Sequence, residues 1–223
     1  QSGRRFVNES CSYHQFVRAM FERDRTSPCI PCFIVTDAAG LKKYGLGMVR
    51  MTTRDLTPYL TDGYLVEAPT VADLARKIGV DALPLEKTVA AMNSYAKTGR
   101  DPEFGRGTTP YHRINGDSSV GPNPTLGPIA TAPFYAVRLY PGDIGAATGL
   151  VTNEWAQVTR ADGSPIAGLY ACGNEANSIM GGTYPGPGIT IGPAIVFGYR
   201  AIQHALGKAE VSMRNHQADE EER

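Results

Sequence analysis

The chain contains no G-x-G-x-x-G segment ahead of the apolar stretch Gly168–Asn174. In α/β proteins that glycine-rich segment joins a strand to a helix whose N-terminus holds a dinucleotide pyrophosphate. The sequence also begins at Gln1, without an initiator methionine. From these two absences we expect the C-terminal part of a larger protein, with any pyrophosphate site outside this stretch.

Neither an excess of one charge nor a long apolar run is present. Lys plus Arg and Asp plus Glu number 22 each, so no net charge favours nucleic acid or an acidic membrane surface. The longest apolar runs, around Ile189–Phe197 and Phe33–Val35, are far below the roughly 20 residues that span a bilayer. No signal peptide is visible. We expect a cytoplasmic protein, either free or associated with a membrane, without a transmembrane segment or a nucleic-acid partner.

Cysteine is scarce, with Cys11, Cys29, Cys32 and Cys172 the only four. Four thiols are too few for a disulfide framework in a chain of this size, and reduced thiols are the simpler explanation. The pair Cys29-Ile-Pro-Cys32 lacks both the two further ligands of a zinc site and the nearby βαβ unit of a thioredoxin-like motif. The four histidines show no metal-ligand spacing either. We therefore predict no metal site.

An apolar content of 42% over 223 residues predicts a folded protein, and periodicity divides its first part into short elements. Apolar spacing predicts a helix over residues 13–23, and Cys32–Thr36 predicts a buried strand that ends at Asp37. The stretch 101–133 is rich in Gly, Pro, Ser, Thr and Asn with little periodicity. It predicts a long connection that crosses the surface.

Two short helices are predicted between these segments by their end signals. Thr70 and Asp73 form a capping-box-like start, and Gly79 is a plausible stop for the same helix. Pro84 suits the first turn of the second helix, which we expect to end near Thr98–Gly99. As a tandem pair the helices suggest a small helical subdomain or cap.

The remaining strands are predicted in the second half of the chain. Phe134–Tyr140 predicts a strand that returns to the main sheet. Gly149–Thr152 and Ala156–Thr159 predict a hairpin, and Asp162–Gly163 marks a tight turn before the strand at Gly168.

The most distinctive segment is Gly168-Leu-Tyr-Ala-Cys-Gly-Asn174, followed by Gly182-Thr-Tyr184-Pro-Gly-Pro-Gly188-Ile-Thr-Ile191. A short apolar strand leads into a glycine-proline turn and then into an apolar helix. In α/β proteins this order brings backbone N–H groups against a cofactor. Residues 189–206 are apolar almost all round, which predicts a buried helix that closes against a sheet.

These segments resemble the flavoprotein 3-ketosteroid Δ1-dehydrogenases, within the larger fumarate reductase and succinate dehydrogenase flavoprotein group. In the wider group the glycine-proline turn carries an arginine that protonates a dicarboxylate, whereas here Tyr184 stands in that place. A phenol instead of a permanent cation favours a neutral carbonyl substrate. The resemblance covers most of the chain, through Arg4-Arg-Phe-Val-Asn-Glu9, Thr70–Asn93, Asp101-Pro-Glu-Phe-Gly-Arg106, Ala132-Pro-Phe-Tyr-Ala-Val137 and, most specifically, Gly168–Gly198.

The resemblance implies a catalytic set of Tyr13, Tyr184 and Gly188. The Tyr184 hydroxyl and the Gly188 backbone N–H are implied to hold a ketone oxygen, and one such donor is typically worth roughly 3–4 kcal/mol to an enolate-like state. Tyr13 is implied to take a proton from the neighbouring carbon while a flavin takes a hydride from the next one. A second tyrosine that assists this base in the family is not in the chain.

The resemblance also implies FAD as the cofactor in the full-length enzyme. The helix N-terminus after Gly188 would approach the flavin edge on which negative charge builds up during reduction. Asn174 stands where the wider group often has a glutamate that holds the ribityl chain, with Glu175 beside it. The loop Ala146–Gly149 replaces a lysine- and glycine-containing turn of relatives. The implied cofactor-binding residues are Gly173, Asn174, Gly188, Ile189, Thr190 and Ile191.

The implied fold is of the α+β or α/β class. We expect a partial substrate-binding domain of the fumarate reductase type over residues 1–146. The C-terminal returning segment of a Rossmann-like FAD domain is expected over residues 147–207. Residues 208–223 are dense in charge, with Asp219-Glu-Glu-Glu222 near the end, and are expected to form a disordered tail.

For the full-length enzyme the resemblance implies a hydrophobic 3-ketosteroid substrate, introduction of a C1–C2 double bond, and an electron acceptor such as a quinone. Two alternatives stay open. The chain can belong to a related flavoprotein dehydrogenase that acts on another cyclic ketone. By itself it can also be an inactive apo module, since no pyrophosphate site is visible in it. We expect the isolated chain to be inactive.

Overall fold

The computed structural model of the chain describes residues 2–207 and divides them into two compact units. The first unit covers residues 2–11 and 15–142, and the second covers 12–14 and 143–207. The tail expected over residues 208–223 lies outside the described residues.

The first unit is built on a three-stranded antiparallel sheet with the order β1-β3-β2. Its strands are β1 (Cys32–Asp37), β2 (Leu65–Ala68) and β3 (Phe134–Leu139). The central strand is therefore the last of the three in sequence. The strands predicted from Cys32 and from Phe134 are both confirmed, whereas β2 was not foreseen.

Each face of this sheet is covered by helices. Because side chains alternate along a strand, Tyr135 and Val137 of β3 lie in one hydrophobic cluster and Ala136 lies in another. The first cluster receives Leu41 from α2 (Ala38–Tyr44) together with side chains from α3 (Thr57–Thr61). The second receives buried side chains from α4 (Val71–Ile78), namely Leu74 and Ile78.

Both helices predicted from their end signals form, α4 with a side-chain N-cap and α5 (Ala82–Thr98) without one. Thr70 accepts a hydrogen bond from the Asp73 N–H at the start of α4, and Gly79 ends the helix in the left-handed region with φ 72°. The next helix, α5, ends at Gly99 with φ 71°. The idea of a separate helical cap is wrong, because α4 packs directly on the sheet.

The first helix and the cysteine pair share a third hydrophobic cluster. In α1 (Tyr13–Asp24), Met20 is fully buried and contacts Cys29 and Cys32. Phe6, Phe16, Ile30 and Leu139 pack against this cluster. The ring centroids of Phe6 and Phe16 are 5.7 Å apart in an edge-to-face arrangement. The predicted helix over residues 13–23 is confirmed.

The long connection 101–133 is fastened to the first unit and contains one short helix, α6 (Pro110–Arg113). The expectation that it only crosses the surface is wrong, because Leu126 is fully buried beside Met92 and Asn123 is buried as well. The Asn123 amide donates to the backbone oxygens of Gly99 and Arg106 at 3.2 and 3.1 Å. Buried polar side chains thus replace secondary structure in holding this segment.

The second unit contains a two-stranded antiparallel sheet of β4 (Gln157–Thr159) and β5 (Pro165–Tyr170). The predicted turn before β5 is confirmed, with Gly163 at φ 83°. The predicted hairpin before it forms only as a bridge between Thr152 and Val158. A 3₁₀ helix follows at Gly173–Glu175, and α7 (Ile191–Ala205) ends the described chain.

The prediction that the last helix is buried is wrong for the described structure, since no residue of α7 is buried. Within residues 143–207, only Ala156 and Val158 are buried hydrophobic residues. The physical reason is that the second unit offers α7 only two short strands and a 3₁₀ helix to pack on. An apolar stripe therefore stays exposed, formed by Ile191, Ile195, Tyr199 and Ile202 of α7 and by Leu206 directly after the helix.

Candidate active site at the glycine-proline turn

Tyr13 and Tyr184 lie against each other within the second unit. Tyr13 is the first residue of α1, and residues 12–14 group with the second unit. Its ring stacks on the Tyr184 ring with 6.2 Å between the centroids and 25° between the planes. The Tyr13 side chain is nevertheless 63% exposed, so its hydroxyl is accessible to a ligand. The structure therefore brings together the two tyrosines that the sequence singles out.

The turn that carries Tyr184 is shaped by its glycines. Gly182 and Gly188 have φ of 81° and 94°, a region that L side chains rarely adopt. A methyl group at Gly188 would meet no atom within 4 Å among residues 2–207. The requirement for glycine at this position is therefore set by the backbone angle and not by space. Glycine at position 188 therefore keeps its backbone N–H and carbonyl in an orientation that residues with a Cβ atom rarely adopt.

The N-terminus of α7 follows this turn directly and has no side-chain cap. Its N-cap residue, Thr190, makes no capping hydrogen bond, and the first turn holds no acidic residue. The Gly188 carbonyl accepts from the Gly192 N–H at 2.8 Å, and the Thr190 carbonyl accepts from the Ala194 N–H at 3.2 Å. The N–H groups ahead of these carry the partial positive charge of the helix end. They suit an electron-rich group of a ligand.

Gly173 and Asn174 lie beside the first turns of α7. Gly173 allows the close approach, because a Cβ atom there would lie 3.3 Å from the Ala194 Cβ atom. Asn174 is exposed, and its side-chain amide has no hydrogen-bond partner in the part of the chain that the structure describes. The residues implied to bind the cofactor thus fall into one cluster, formed by Gly173, Asn174, Gly188, Ile189, Thr190 and Ile191.

The loop before this cluster is also close to it. A Cβ atom at Gly145 would lie 3.3 Å from the Asn174 side-chain oxygen. The Ser178 N–H donates to the Ala147 carbonyl at 3.0 Å, and the Leu150 N–H donates to the Glu175 carbonyl at 2.8 Å. The loop Ala146–Gly149 therefore contributes backbone next to Asn174, and Thr148 carries the one polar side chain of this loop.

The cysteine pair has the properties of packing residues. Burial raises the pKa of the Cys29 thiol, and it raises the pKa of the Cys32 thiol to about 11. Both thiols are therefore protonated near neutral pH and are poor nucleophiles. In residues 2–207 no three His, Cys, Asp or Glu side chains are grouped to hold a metal ion.

Sequence reasoning missed a polar network in the first unit that joins two of the motif segments, residues 5–10 and 101–106. These segments lie 96 residues apart, a separation that no local pattern reports. The available signal was the presence of Arg and Asp or Glu in both segments.

None of the helices within residues 2–207 has the length and apolar character needed to cross a membrane.

Comparison with known proteins places the chain among flavoproteins. It is 41% identical over 199 residues to a 4-oxocyclohex-2-ene-1-carboxylate 5-dehydrogenase of Sinomonas cyclohexanicum. The aligned residues cover 89% of the chain and 34% of that relative. It is 39% identical over 213 residues to a 3-oxosteroid 1-dehydrogenase of Mycobacterium tuberculosis. This second alignment covers 93% of the chain and 38% of the relative. The chain thus spans about a third of the length of these relatives.

Solved structures agree with this resemblance. A 3-ketosteroid Δ1-dehydrogenase of Sterolibacterium denitrificans, in complex with 1,4-androstadiene-3,17-dione, matches with a TM-score of 0.83 and 40% identity, covering 91% of this chain and 37% of that one. The open conformation of a flavocytochrome c3 fumarate reductase matches with a TM-score of 0.56 and 26% identity, covering 93% and 32%. The fold is therefore a mixed α/β fold of the fumarate reductase-like flavoproteins.

The FAD binding domain family matches residues 1–191 of the chain. This match and the relatives confirm the resemblance to 3-ketosteroid Δ1-dehydrogenases, and they indicate FAD as the cofactor. The uncapped start of α7 and the neighbouring exposed amide of Asn174 fit such a group. The chain belongs to the FAD binding domain family of flavoprotein oxidoreductases.

Proposed function

We propose that this chain is the C-terminal part of an FAD-dependent dehydrogenase that introduces a double bond beside the ring ketone of a 3-ketosteroid. The observation that carries the proposal is the stack of Tyr13 on Tyr184 at the turn that opens α7. Two phenols beside a helix N-terminus supply hydroxyl groups and backbone donors, and none of these groups is a permanent cation. That set of groups suits a neutral carbonyl better than a carboxylate.

Tyr184 and Gly188 form the carbonyl site in this proposal. The Tyr184 hydroxyl and the Gly188 N–H donate hydrogen bonds to the ketone oxygen. Both bonds strengthen as negative charge develops on that oxygen, so they stabilise the enolate-like state more than the ketone. The carbon next to the carbonyl becomes more acidic as a result.

Tyr13 is the base in this proposal. Its oxygen takes the proton from the carbon beside the carbonyl, and the electron pair of that C–H bond moves toward the neighbouring carbon as the double bond forms. FAD, when bound, supplies the acceptor for the hydride that leaves that neighbouring carbon. The exposed Tyr13 hydroxyl is accessible for this contact. A free tyrosine has a pKa of about 10, so the base needs a deprotonated or relayed form.

In this proposal, the cluster of residues around the start of α7 binds the edge of the flavin. Gly188, Ile189, Thr190 and Ile191 offer backbone N–H groups from the positive end of the helix dipole. Asn174, whose amide is exposed, offers a hydrogen bond to a ribityl hydroxyl.

We assign the substrate-binding part to residues 1–146 and a part of the FAD domain to residues 147–207. The exposed apolar stripe of α7 supports the second assignment, because such a stripe is typical of a helix that packs on a sheet. We expect the rest of an FAD domain to cover it in the complete flavoprotein. A quinone remains our expected electron acceptor.

A second candidate substrate is a smaller alicyclic ketone that carries a carboxylate. It is favoured by the 41% identity to the 4-oxocyclohex-2-ene-1-carboxylate 5-dehydrogenase. A carbonyl site made from Tyr184 and Gly188 recognises the ketone oxygen and does not by itself distinguish the size of the ring system. The two candidates therefore share the reaction and differ in the substrate.

The test is product analysis with the complete flavoprotein that carries this chain. We expect a 3-ketosteroid, incubated with an artificial electron acceptor, to lose two hydrogens beside the ketone. Tyr13→Phe is expected to lower kcat by about 10² to 10⁴, the usual contribution of a general base. Tyr140→Phe, at another exposed tyrosine, is the matched control and should keep the wild-type rate. Turnover of 4-oxocyclohexanecarboxylate alone would select the second candidate, and no turnover of any ring ketone would reject both.

A further inference from the structure

Two motif segments of the first unit are locked together by a buried ion pair. The Arg5 guanidinium contacts the Asp101 carboxylate with both arms, Nη1 to Oδ1 at 2.9 Å and Nη2 to Oδ2 at 2.7 Å. The Asp101 side chain is fully buried, and that of Arg5 is 7% exposed. A bidentate pair of this kind fixes direction as well as distance.

Further bonds extend this lock along both segments. The Asn8 amide donates to the Phe104 carbonyl at 3.0 Å, and Arg106 Nε donates to the Ser10 hydroxyl at 3.1 Å. Glu9 accepts from Arg5 through both carboxylate oxygens at 2.7 Å. We call this set the clamp network, formed by Arg5, Asn8, Glu9, Ser10, Asp101, Phe104 and Arg106.

Asp101 is the centre of the clamp network. Besides Arg5, it accepts hydrogen bonds from the backbone N–H groups of Glu103, Phe104 and Arg106 at 3.1, 3.3 and 3.2 Å. Burial acts to raise its pKa, but the hydrogen bonds and charge of Arg5 outweigh burial and lower the pKa to about 2. The carboxylate is therefore ionised throughout the physiological range and holds both segments at once.

The segment held by the clamp network leads straight into α1. Ser10 is its last member, and α1 begins with Tyr13. On the same segment, Phe6 packs edge-to-face on Phe16 of α1. The chain just before Tyr13 and the first turn after it are thus both fixed to the first unit. Between Ser10 and Tyr13, the Cys11 N–H donates to the Asn8 carbonyl at 3.1 Å, and Ser12 is buried.

We propose that Asp101 is a positioning residue for Tyr13, which fixes the start of α1 through Arg5 and the clamp network. The proposal rests on the proposed function, in which Tyr13 is the base. Its physical basis is that proton abstraction requires the base at a defined distance from the carbon, and a displacement of about 1 Å can cost about 10²-fold in rate.

Stability alone is a poor explanation of this ion pair. Replacing a buried pair by apolar residues of similar volume is often neutral or stabilising, because the desolvation cost of both charges offsets their attraction. What a bidentate pair provides better than apolar packing is a single geometry. That property is the one a segment leading to a catalytic side chain requires.

The test compares two buried carboxylates of the first unit in the complete flavoprotein. Asp37 is as well buried as Asp101 and accepts from the N–H groups of Gly40, Ala130 and Thr131 at 2.7, 2.8 and 2.8 Å. It caps α2 and has no contact with the clamp network. Asp37→Asn is therefore the matched control for loss of a buried carboxylate that has only a structural role.

For Asp101→Asn we expect a folded, flavin-containing protein whose kcat falls by about 10- to 100-fold while KM changes by less than about threefold. The deuterium isotope effect at the carbon beside the ketone should rise, because proton abstraction becomes rate-limiting. Asp37→Asn should lower the melting temperature but keep the wild-type kcat and isotope effect. Equal kcat and isotope effect in the two variants would overturn the proposal.

Arg5→Lys is the second variant, in case Asp101→Asn does not fold. Lysine keeps the charge but loses the planar fork, so the pair can form only through a single point of contact. We expect a folded protein with a reduced kcat and a raised isotope effect, and a wild-type kcat here would also overturn the proposal. An active wild type, an impaired Tyr13→Phe and an unaffected Asp101→Asn would reject only the positioning role. A wild type without activity on any ring ketone would reject the proposed function, and the positioning role with it.

Discussion

The rings of Tyr13 and Tyr184 are stacked with 6.2 Å between their centroids, although one residue opens the first helix and the other lies in the turn before the last one. The turn places Tyr184 through glycines of positive φ, and α1 places Tyr13 as its first residue. This contact brings two residues that are distant in sequence together at the candidate active site.

The Tyr184 hydroxyl can be tested apart from the stack. Tyr184→Phe removes the proposed donor to the ketone oxygen but keeps the ring that contacts Tyr13. We expect kcat to fall by about 10²- to 10³-fold, the usual cost of losing one oxyanion donor, with an unchanged melting temperature. Tyr140→Phe again serves as the control. A Tyr184→Phe enzyme with the wild-type rate would remove Tyr184 from the carbonyl site.

Gly188 can be tested through its backbone angle. Gly188→Ala adds a methyl group that meets no atom within 4 Å among the described residues, but it places alanine at φ 94°. We expect the turn to shift, at a cost of about 1–3 kcal/mol, with weaker flavin retention and a lower kcat. Gly142→Ala has the same open surroundings without a positive φ and should behave as wild type. Measured flavin content per chain distinguishes these outcomes.

The clamp network has a defined pH signature. The pKa of Asp101 in the fold, about 2, lies below the value of about 3.9 for an unfolded aspartate. The ionised carboxylate therefore stabilises the fold above about pH 4, and this contribution is lost as the pH falls toward 2. The deficit in melting temperature of Asp101→Asn should be largest near neutral pH and should shrink toward about pH 3.

A surface ion pair on α1 is the control for that pH series. Glu22 pairs with Arg18 at 3.5 Å, and both side chains are more than half exposed. Glu22→Gln is expected to change the melting temperature little at any pH. If the melting temperature of Asp101→Asn lies below that of the wild type by the same amount at every pH, the charge of the Asp101 carboxylate does not contribute to the stability of the fold.

The apolar stripe of α7 gives a prediction about the domain assignment. Ile195→Lys and Ile202→Lys are on an exposed face in the described structure, so the isolated chain should tolerate them, with less tendency to aggregate. In the complete flavoprotein the same changes should reduce flavin content, because a charge would be buried where the stripe packs. Normal flavin content in both variants would contradict the assignment of α7 to the core of an FAD domain.

Local signals made much of the first unit predictable. The start and end of α4 follow from Thr70 and Gly79, whose effects act within one helical turn. The burial of Leu126 and Asn123 could not be predicted in this way, because their partners are distant in sequence. The same limit hid the pair of Arg5 and Asp101, even though both residues stand in segments that the family resemblance had marked.

The candidate site was predictable only in part. The pattern around Gly188 indicated a cofactor turn by itself, but the meeting of Tyr13 with Tyr184 was implied by the resemblance and not by any spacing. The apolar pattern of α7 correctly indicated a helix. The prediction that this helix is buried was wrong, because composition does not show which element a helix packs on. Sequence periodicity identifies the apolar face of a helix, but that face is buried only where another structural element packs on it.

Anaerobic mixing of the complete, FAD-loaded flavoprotein with a 3-ketosteroid tests the proposed dehydrogenation. We expect the visible flavin absorption to bleach in a single turnover and the steroid to be recovered two hydrogens lighter, with the new double bond beside the ketone. Tyr13→Phe should bind the steroid without bleaching at a comparable rate. Unchanged flavin absorption with every ring ketone, together with reoxidation of the reduced protein by a dicarboxylate such as fumarate, would contradict it.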